Sequence, residues 1–165
     1  MNLKCKGALT VLMLGTLSIA PAAAELDFSI AGGYPFVLVP EVSWSTKDRS
    51  QRWHVNYKAG LDDGISVGFE QSLSADNRHR FGVVVGAIGI KNEENPCAEQ
   101  QGVLACVLAN IFDEETINGV GVTYSFYLDE LAHSGWHVKL EGGYGEGSKS
   151  DTKNTGASIR IGYQF

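Results

Sequence analysis

Nowhere beyond its first two dozen positions does the chain carry eighteen consecutive apolar residues, so no helical membrane span is expected. It is short of positive charge as well, with 13 Lys and Arg against 19 Asp and Glu. Nucleic acid is therefore excluded as a partner, since phosphate binding needs concentrated basic side chains. Cysteine is scarce: Cys5, Cys97 and Cys106 are the three. Cys5 precedes the first apolar run, where a lipoprotein signal would need it to follow, so a lipid anchor is not expected. Nothing in the composition or spacing points to a cofactor, and the acidic residues of the 91–115 stretch match no calcium-binding spacing, so no metal is assigned.

What is there begins with a leader. Lys4 and Lys6 precede the apolar stretch Ala8–Ala20, which is followed by Pro21-Ala22-Ala23-Ala24 and the acidic Glu25. A basic start, a short apolar segment and small residues at the cleavage site make residues 1–24 a secretory signal peptide, with cleavage expected after Ala24. Residues 25–165 then form one domain, acidic overall. Cys97 and Cys106 remain, and export to an oxidising compartment favours a disulfide between them over two free thiols.

From Leu26 to Phe165 apolar residues alternate with small or polar ones, and turn-forming clusters interrupt the pattern about every ten residues, the signature of strands. Ala157, Ile159, Ile161, Tyr163 and Phe165 occupy one face of the last segment; Ser158, Arg160, Gly162 and Gln164 occupy the other. The same holds for Trp136–Gly145, Val120–Leu128, Trp53–Leu61 and Ile65–Leu73. Adding Leu26–Tyr34, Phe36–Ser45 and the more uniformly apolar Phe81–Ile90 gives eight strands. Turns are expected at 62–64, Ser74–Arg80, Asp129–Gly135 and Gly147–Gly156. Pro40 fits poorly inside the second strand, since it offers no ladder hydrogen bond and a closed barrel has no edge to place it on.

Alternation alone does not separate a membrane barrel from a soluble sandwich or lipocalin-like barrel. The polar-side face is rich in glycine and serine with occasional charges, which suits a narrow lumen better than a water-facing surface. If the N-terminus is periplasmic, Phe28, Trp44, Trp53, Phe81, Phe126, Trp136 and Phe165 group toward that end of their strands, and Tyr34, Phe36 and Tyr144 toward the other, as interfacial girdles would. The expected fold is all-β: an eight-stranded antiparallel up-and-down transmembrane β-barrel.

The signal peptide, the alternating strands and the ending Arg160-Ile161-Gly162-Tyr163-Gln164-Phe165 resemble the small eight-stranded outer-membrane proteins of the OmpX/Ail and OmpA-transmembrane-domain type. The resemblance covers the architecture from residue 25 onward and is one of class. It implies location in the outer membrane among its lipid and lipopolysaccharide, and insertion by the barrel assembly machinery, with Tyr163 and Phe165 as the C-terminal assembly signal. The expected outside connections at 33–35 and 62–64 are shorter than in such relatives. Only Lys91–Glu115 and Glu146–Gly156 are long enough to reach outward, which weakens the adhesion roles that rest on elaborated loops.

Asp27, Glu41, Lys58, Glu70, Lys139, Glu141 and Arg160 fall on the polar face with His54 and His137, and inside a narrow barrel they must pair. A salt-bridged plug is preferred to a proton or ion path. A lipid A enzyme would need a histidine at the outer rim, yet His79 and His133 fall in the turns at the opposite end, near His54 and His137. In the 91–115 connection the apolar stretch between acidic ends would cap the barrel or meet a surface partner. The expected role is non-enzymatic, structural or surface-interacting, with a lipid A-modifying enzyme and a soluble periplasmic ligand-binding barrel as alternatives.

Overall fold

The computed structural model describes residues 25–60, 62–91, 115–128, 134–150 and 152–165. Residues 1–24, where the signal peptide is expected, lie outside the described residues. So do both cysteines of the expected Cys97–Cys106 disulfide, most of the 91–115 connection, and His133. Eight strands follow one another: β1 (Glu25–Tyr34), β2 (Val39–Ser45), β3 (Gln51–Lys58), β4 (Gly64–Ser72), β5 (His79–Lys91), β6 (Thr116–Tyr127), β7 (Gly135–Gly147) and β8 (Lys153–Gln164). Each pairs antiparallel with the next, and β1 pairs with β8, so the sheet closes into an up-and-down barrel. The rim that carries Glu25 and Phe165 is called here the near rim, and the opposite one the far rim.

Period-two patterning decides which side chains turn inward. Along β3 every second residue (Arg52, His54, Asn56, Lys58) is buried, while Trp53, Val55 and Tyr57 are exposed. The register carries this alternation around the ring, and the result inverts a soluble protein. The buried side chains are largely charged or hydroxyl-bearing, and the exposed ones include Ile65, Val67, Val83, Val120, Leu140, Ile159 and Ile161.

Pro40 lies opposite Ile30 of β1. On its other side the ladder to β3 lapses: Leu38 bridges Ala59, and regular pairing resumes only at Glu41 and Asn56. The Leu38 amide donates to the Ala59 carbonyl at 3.2 Å. Two residues on, Pro40 faces the same neighbour with no N–H to offer. One missing rung accommodates it, without an edge strand.

The two halves of the barrel differ in height. β1 to β4 run 10, 7, 8 and 9 residues, β5 to β8 run 13, 12, 13 and 12. The β1–β8 ladder stops at Tyr34 and Ile159, which leaves the start of β8 without a partner from β1. β5 supplies one. It bends at Gly86, whose φ of 116° favours glycine, and its register with β6 shifts between Ala87 and Gly89. Ile90 and Lys91 then pair with Ala157 and Gly156 of β8 while Gly89 and Ile90 remain paired with β6. Beyond the far rim of the short half, β5, β6, β7 and β8 close on themselves as a ring of four.

That ring explains many of the glycines. Gly119, Gly121, Gly143 and Gly145 present bare backbone inward, and Ala87, Ile88 and Ile117, all fully buried, fill the space. A Cβ on Gly143 would lie 2.4 Å from the Val120 carbonyl oxygen and 2.7 Å from the Ile88 methyl carbon Cδ1. Phe36 was expected at the rim among the outward aromatics; it is 1 % exposed and packs with Val39 and Ala31 as an inner cluster below the ring. The far end is thus stoppered by apolar side chains. Several strand limits also differ from expectation. The turn expected over Gly147–Gly156 is narrower, at 148–150, with Gly147 ending β7 and 153–156 belonging to β8, and His79 and Arg80 open β5 instead of closing the turn before it.

At the far rim Asp62 ties three connections together. Its carboxylate accepts from the Thr116 amide at 3.0 Å and from the Ser148 hydroxyl, while its carbonyl accepts from Thr116 Oγ1 at 2.8 Å. Partial burial works to raise the Asp62 pKa, but the Ser148 and Thr116 hydrogen bonds and the Lys149 charge outweigh it and hold the carboxyl below its usual value. A depressed folded pKa means stability that is present above the unfolded value and lost as pH falls through the folded one. Two outcomes are expected. Asp62→Asn should speed hydrogen exchange in the 59–63 and 148–150 turns at pH 7, and wild type should approach the variant's rates only below about pH 4. Gly143→Val should lower stability to urea by about 1–3 kcal/mol through overpacking against Ile88, read from the midpoint of the folded barrel's unfolding.

Candidate functional site

The inward side chains of the middle and near half form a single polar interior. Its centre is a closed set of four charges, one from each of β2, β3, β4 and β7. Arg52 lies 3.0 Å from Glu41 and 3.7 Å from Glu70. Lys139 lies 2.9 Å from Glu41 and 3.4 Å from Glu70. Each cation thus meets both carboxylates, and the set is neutral. All four side chains are at most 4 % exposed, a depth at which an unpaired charge would be prohibitive.

Glu41 and one oxygen of Glu70 accept further hydrogen bonds, while Glu70 Oε2 keeps only its ion pair with Arg52. Glu41 accepts from Asn56 Nδ2 at 3.1 Å, and Asn56 Oδ1 accepts from the Ser66 hydroxyl at 2.7 Å. Glu70 Oε1 accepts from Ser125 at 2.7 Å and Thr123 at 3.2 Å. Arg52 donates to the Tyr127 hydroxyl. Toward the far end a second cluster is centred on Glu141, which pairs with both Lys58 and Arg160. Lys58 also donates to the Ala87 carbonyl and sits 5.3 Å from the Phe36 ring centre, joining the charged interior to the apolar stopper.

Six of the seven residues read from the sequence as a lumen network fall into these two clusters: Glu41, Glu70 and Lys139 in one, Lys58, Glu141 and Arg160 in the other. Asp27 does not join them. It is buried at the near rim, with Oδ2 unpartnered. Sequence reading missed Arg52 and Arg80, both fully buried. Strict alternation back from His54 would have placed Arg52 inside, but a strand begun at Trp53 left it out. Arg80 was hidden by assigning Ser74–Arg80 to a turn.

Three histidines, His54, His79 and His137, fall among the described residues. His54 and His137 are buried, each against the bare backbone of its register partner: a Cβ on Gly68 would lie 2.4 Å from the His54 ring, and one on Gly162 2.7 Å from that of His137. Both His54 nitrogens and His137 Nδ1 lack hydrogen-bond partners. His79 is half-buried with the outward-facing residues of β5 and β6, its Nδ1 2.7 Å from the Tyr124 hydroxyl. Among the described residues no three His, Cys, Asp or Glu side chains are grouped to hold a metal ion.

Outside, aromatic rings line the near end. Trp136, Tyr163, Phe165 and Phe28 form a continuous series with centroids 5.5, 5.3 and 6.1 Å apart across β7, β8 and β1. Trp53 and Phe69 stack at 4.8 Å, and Trp44 lies beside Trp53 on β2. Tyr34, Tyr57 and Tyr144 lie toward the far end and are exposed.

These features define a class by architecture: an eight-stranded closed antiparallel barrel with a charge-paired interior and an apolar exterior. Comparison with family models, with curated proteins and with solved structures finds no match. Fold and interior geometry therefore carry the functional reading.

Removing one member of the central set leaves its partners buried and uncompensated, so Lys139→Met should cost about 3–5 kcal/mol. Removing Lys139 and Glu41 together leaves the neutral pair of Arg52 and Glu70. The double variant Lys139→Met/Glu41→Leu should therefore lose clearly less than the sum of the single losses, as measured by a double-mutant cycle in urea. Additive losses would mean that the four charges do not act as one set.

Proposed function

We propose that residues 25–165 form an integral outer-membrane barrel, exported by the 1–24 leader, with a non-enzymatic role in the envelope as a structural or surface-interacting protein. The observation that carries this reading is the inverted polarity. Exposed Val, Ile, Leu and aromatic side chains surround buried Arg, Lys and Glu. A soluble ligand-binding barrel needs the reverse, because water would meet the apolar face. In a bilayer the backbone groups of a spanning sheet must all be paired, and closure achieves that.

The near rim is the periplasmic one in this reading. Its aromatic series would lie at the inner interface, and Tyr34, Tyr57 and Tyr144 at the outer one, against lipid and lipopolysaccharide. Phe165 is 61 % exposed and anchored by its amide, which donates to the Phe28 carbonyl at 2.9 Å. It is thus accessible as a C-terminal assembly signal, together with Tyr163. The apolar stopper and the paired charges below it support a filled interior over a conduit. The described histidines lie in the near half, away from the outer rim where a lipid A enzyme would need its base. The 91–115 connection leaves from the far rim and is the segment that would meet a surface partner.

Outer-membrane fractions run in SDS with and without boiling test the reading. The unboiled chain should migrate faster, and deletion of Phe165 should weaken that folded band; a chain recovered without detergent after osmotic shock would overturn it. Deleting residues 96–112 should abolish adsorption of phage or adhesion to host cells while leaving the folded band intact. Unchanged adsorption and adhesion would reduce the segment to a cap.

A further inference from the structure

Arg80 is the buried cation that neither cluster uses. Arg52, Lys58, Lys139 and Arg160 each lie within 4 Å of a carboxylate. Arg80 is equally inaccessible and has no such neighbour among the described residues. Its Nη2 donates to the Arg49 carbonyl at 2.5 Å, reaching from β5 to the turn between β2 and β3, while Nε and Nη1 have no partner. The charges that face it are Arg52, Glu70, Arg49 and Asp27. Arg52 stands with it against the Tyr127 ring, their guanidinium carbons 5.6 and 5.8 Å from the ring centre. Glu70 is already engaged by Arg52 and Lys139, and Arg49 pairs with Glu25.

Unused hydrogen-bonding capacity gathers on the wall leading away from that turn. Ser43 and Ser45 on β2 are 1 % and 2 % exposed, and neither hydroxyl has a partner. Ser29 on β1 is in the same condition. Two guanidinium N–H donors of Arg80 and the hydroxyls of Ser43, Ser45 and Ser29 stand unpartnered in this half of the interior, against the unpartnered carboxylate oxygens of Asp27 and Glu70 and the amide oxygen of Gln164. Two guanidiniums on one ring, with N–H groups to spare, form the arrangement in which a negatively charged oxygen is held by charge-assisted hydrogen bonds.

We propose that the near mouth of the barrel is a binding site for a small oxyanion, a phosphate, sulfate or carboxylate group, held by the free N–H groups of Arg80 with the Ser45 and Ser43 hydroxyls. Arg52 supplies positive charge behind it. Asp27, across the mouth, opposes the ligand and keeps affinity modest. In the orientation proposed above the site lies at the periplasmic end of the barrel, so the oxyanion is a periplasmic solute or the headgroup phosphate of an inner-leaflet lipid. The site itself does not depend on that orientation.

Inorganic phosphate titrated into the folded, detergent-solubilised protein by calorimetry at constant ionic strength tests the site. Wild type should give saturable binding that an equal concentration of chloride does not reproduce. Arg80→Gln should weaken binding tenfold or more, and Asp27→Asn should tighten it severalfold. Absence of saturable binding to wild type, or an unchanged dissociation constant in Asp27→Asn, would overturn the proposal. The second criterion holds even if Arg80→Gln fails to fold. Short-chain phosphatidylglycerol added to the micelles identifies the source: displacement of phosphate points to a lipid headgroup, and its failure to displace points to a free anion. A null titration in a protein that still shows the heat-dependent gel shift would sink this site and leave the membrane reading standing.

Discussion

Closing eight strands into a ring leaves an interior just wide enough for side chains to fill, and with the apolar residues already turned outward, only polar ones remain to fill it. Charges confined there must neutralise one another. The barrel meets this requirement by pooling them, with Arg52 and Lys139 each shared between Glu41 and Glu70, and Glu141 between Lys58 and Arg160. These contacts cross the lumen between strands distant in sequence, such as β2 and β7, and so fix the register of the wall from inside. A slip of one residue in any of these strands would turn a charge to the outside and a valine or tryptophan inward.

Much of this was legible in the chain before any coordinates. Alternation in segments such as Ile159–Phe165 and Trp53–Tyr57 is unbroken, so the strand count, the identity of the inward face and most of its charges followed from period two alone. What escaped notice lay where the pattern is locally ambiguous. Arg52 and Arg80 stand at strand starts beside turn-forming residues, and nothing local distinguishes a turn arginine from a lumen arginine. Phe36 follows Pro35 in a short connection and reads as an interfacial aromatic; only the missing height of β2 sends it inside. Pairing of each base with its carboxylate was beyond the sequence, because it depends on the shear that brings β2, β3, β4 and β7 to one level.

Glycine was the most informative residue and the most misleading. Its concentration on the inward face indicated a narrow lumen, but not that the crowding is greatest where β5, β6, β7 and β8 close as a ring of four. In the long half Gly143 of β7 lies against Ile88 and Gly156 of β8 against Ile117, while Gly119, Gly121 and Gly145 face the backbone of the paired strand. Strand length and glycine content are thus two signs of one feature, and each alone reads as something else.

Joining β8 to β5 has a consequence for the order in which the chain can assemble. In most meander barrels the last strand stays unsatisfied until it finds the first, so closure waits on the contact with the greatest sequence separation. Here the C-terminal half contains its own closing contact, through Ile90 and Ala157, across a shorter loop than the one from β1 to β8. Such a half can form a ring at lower entropic cost, and the short strands β1 to β4 then complete a wall whose other half is already in place.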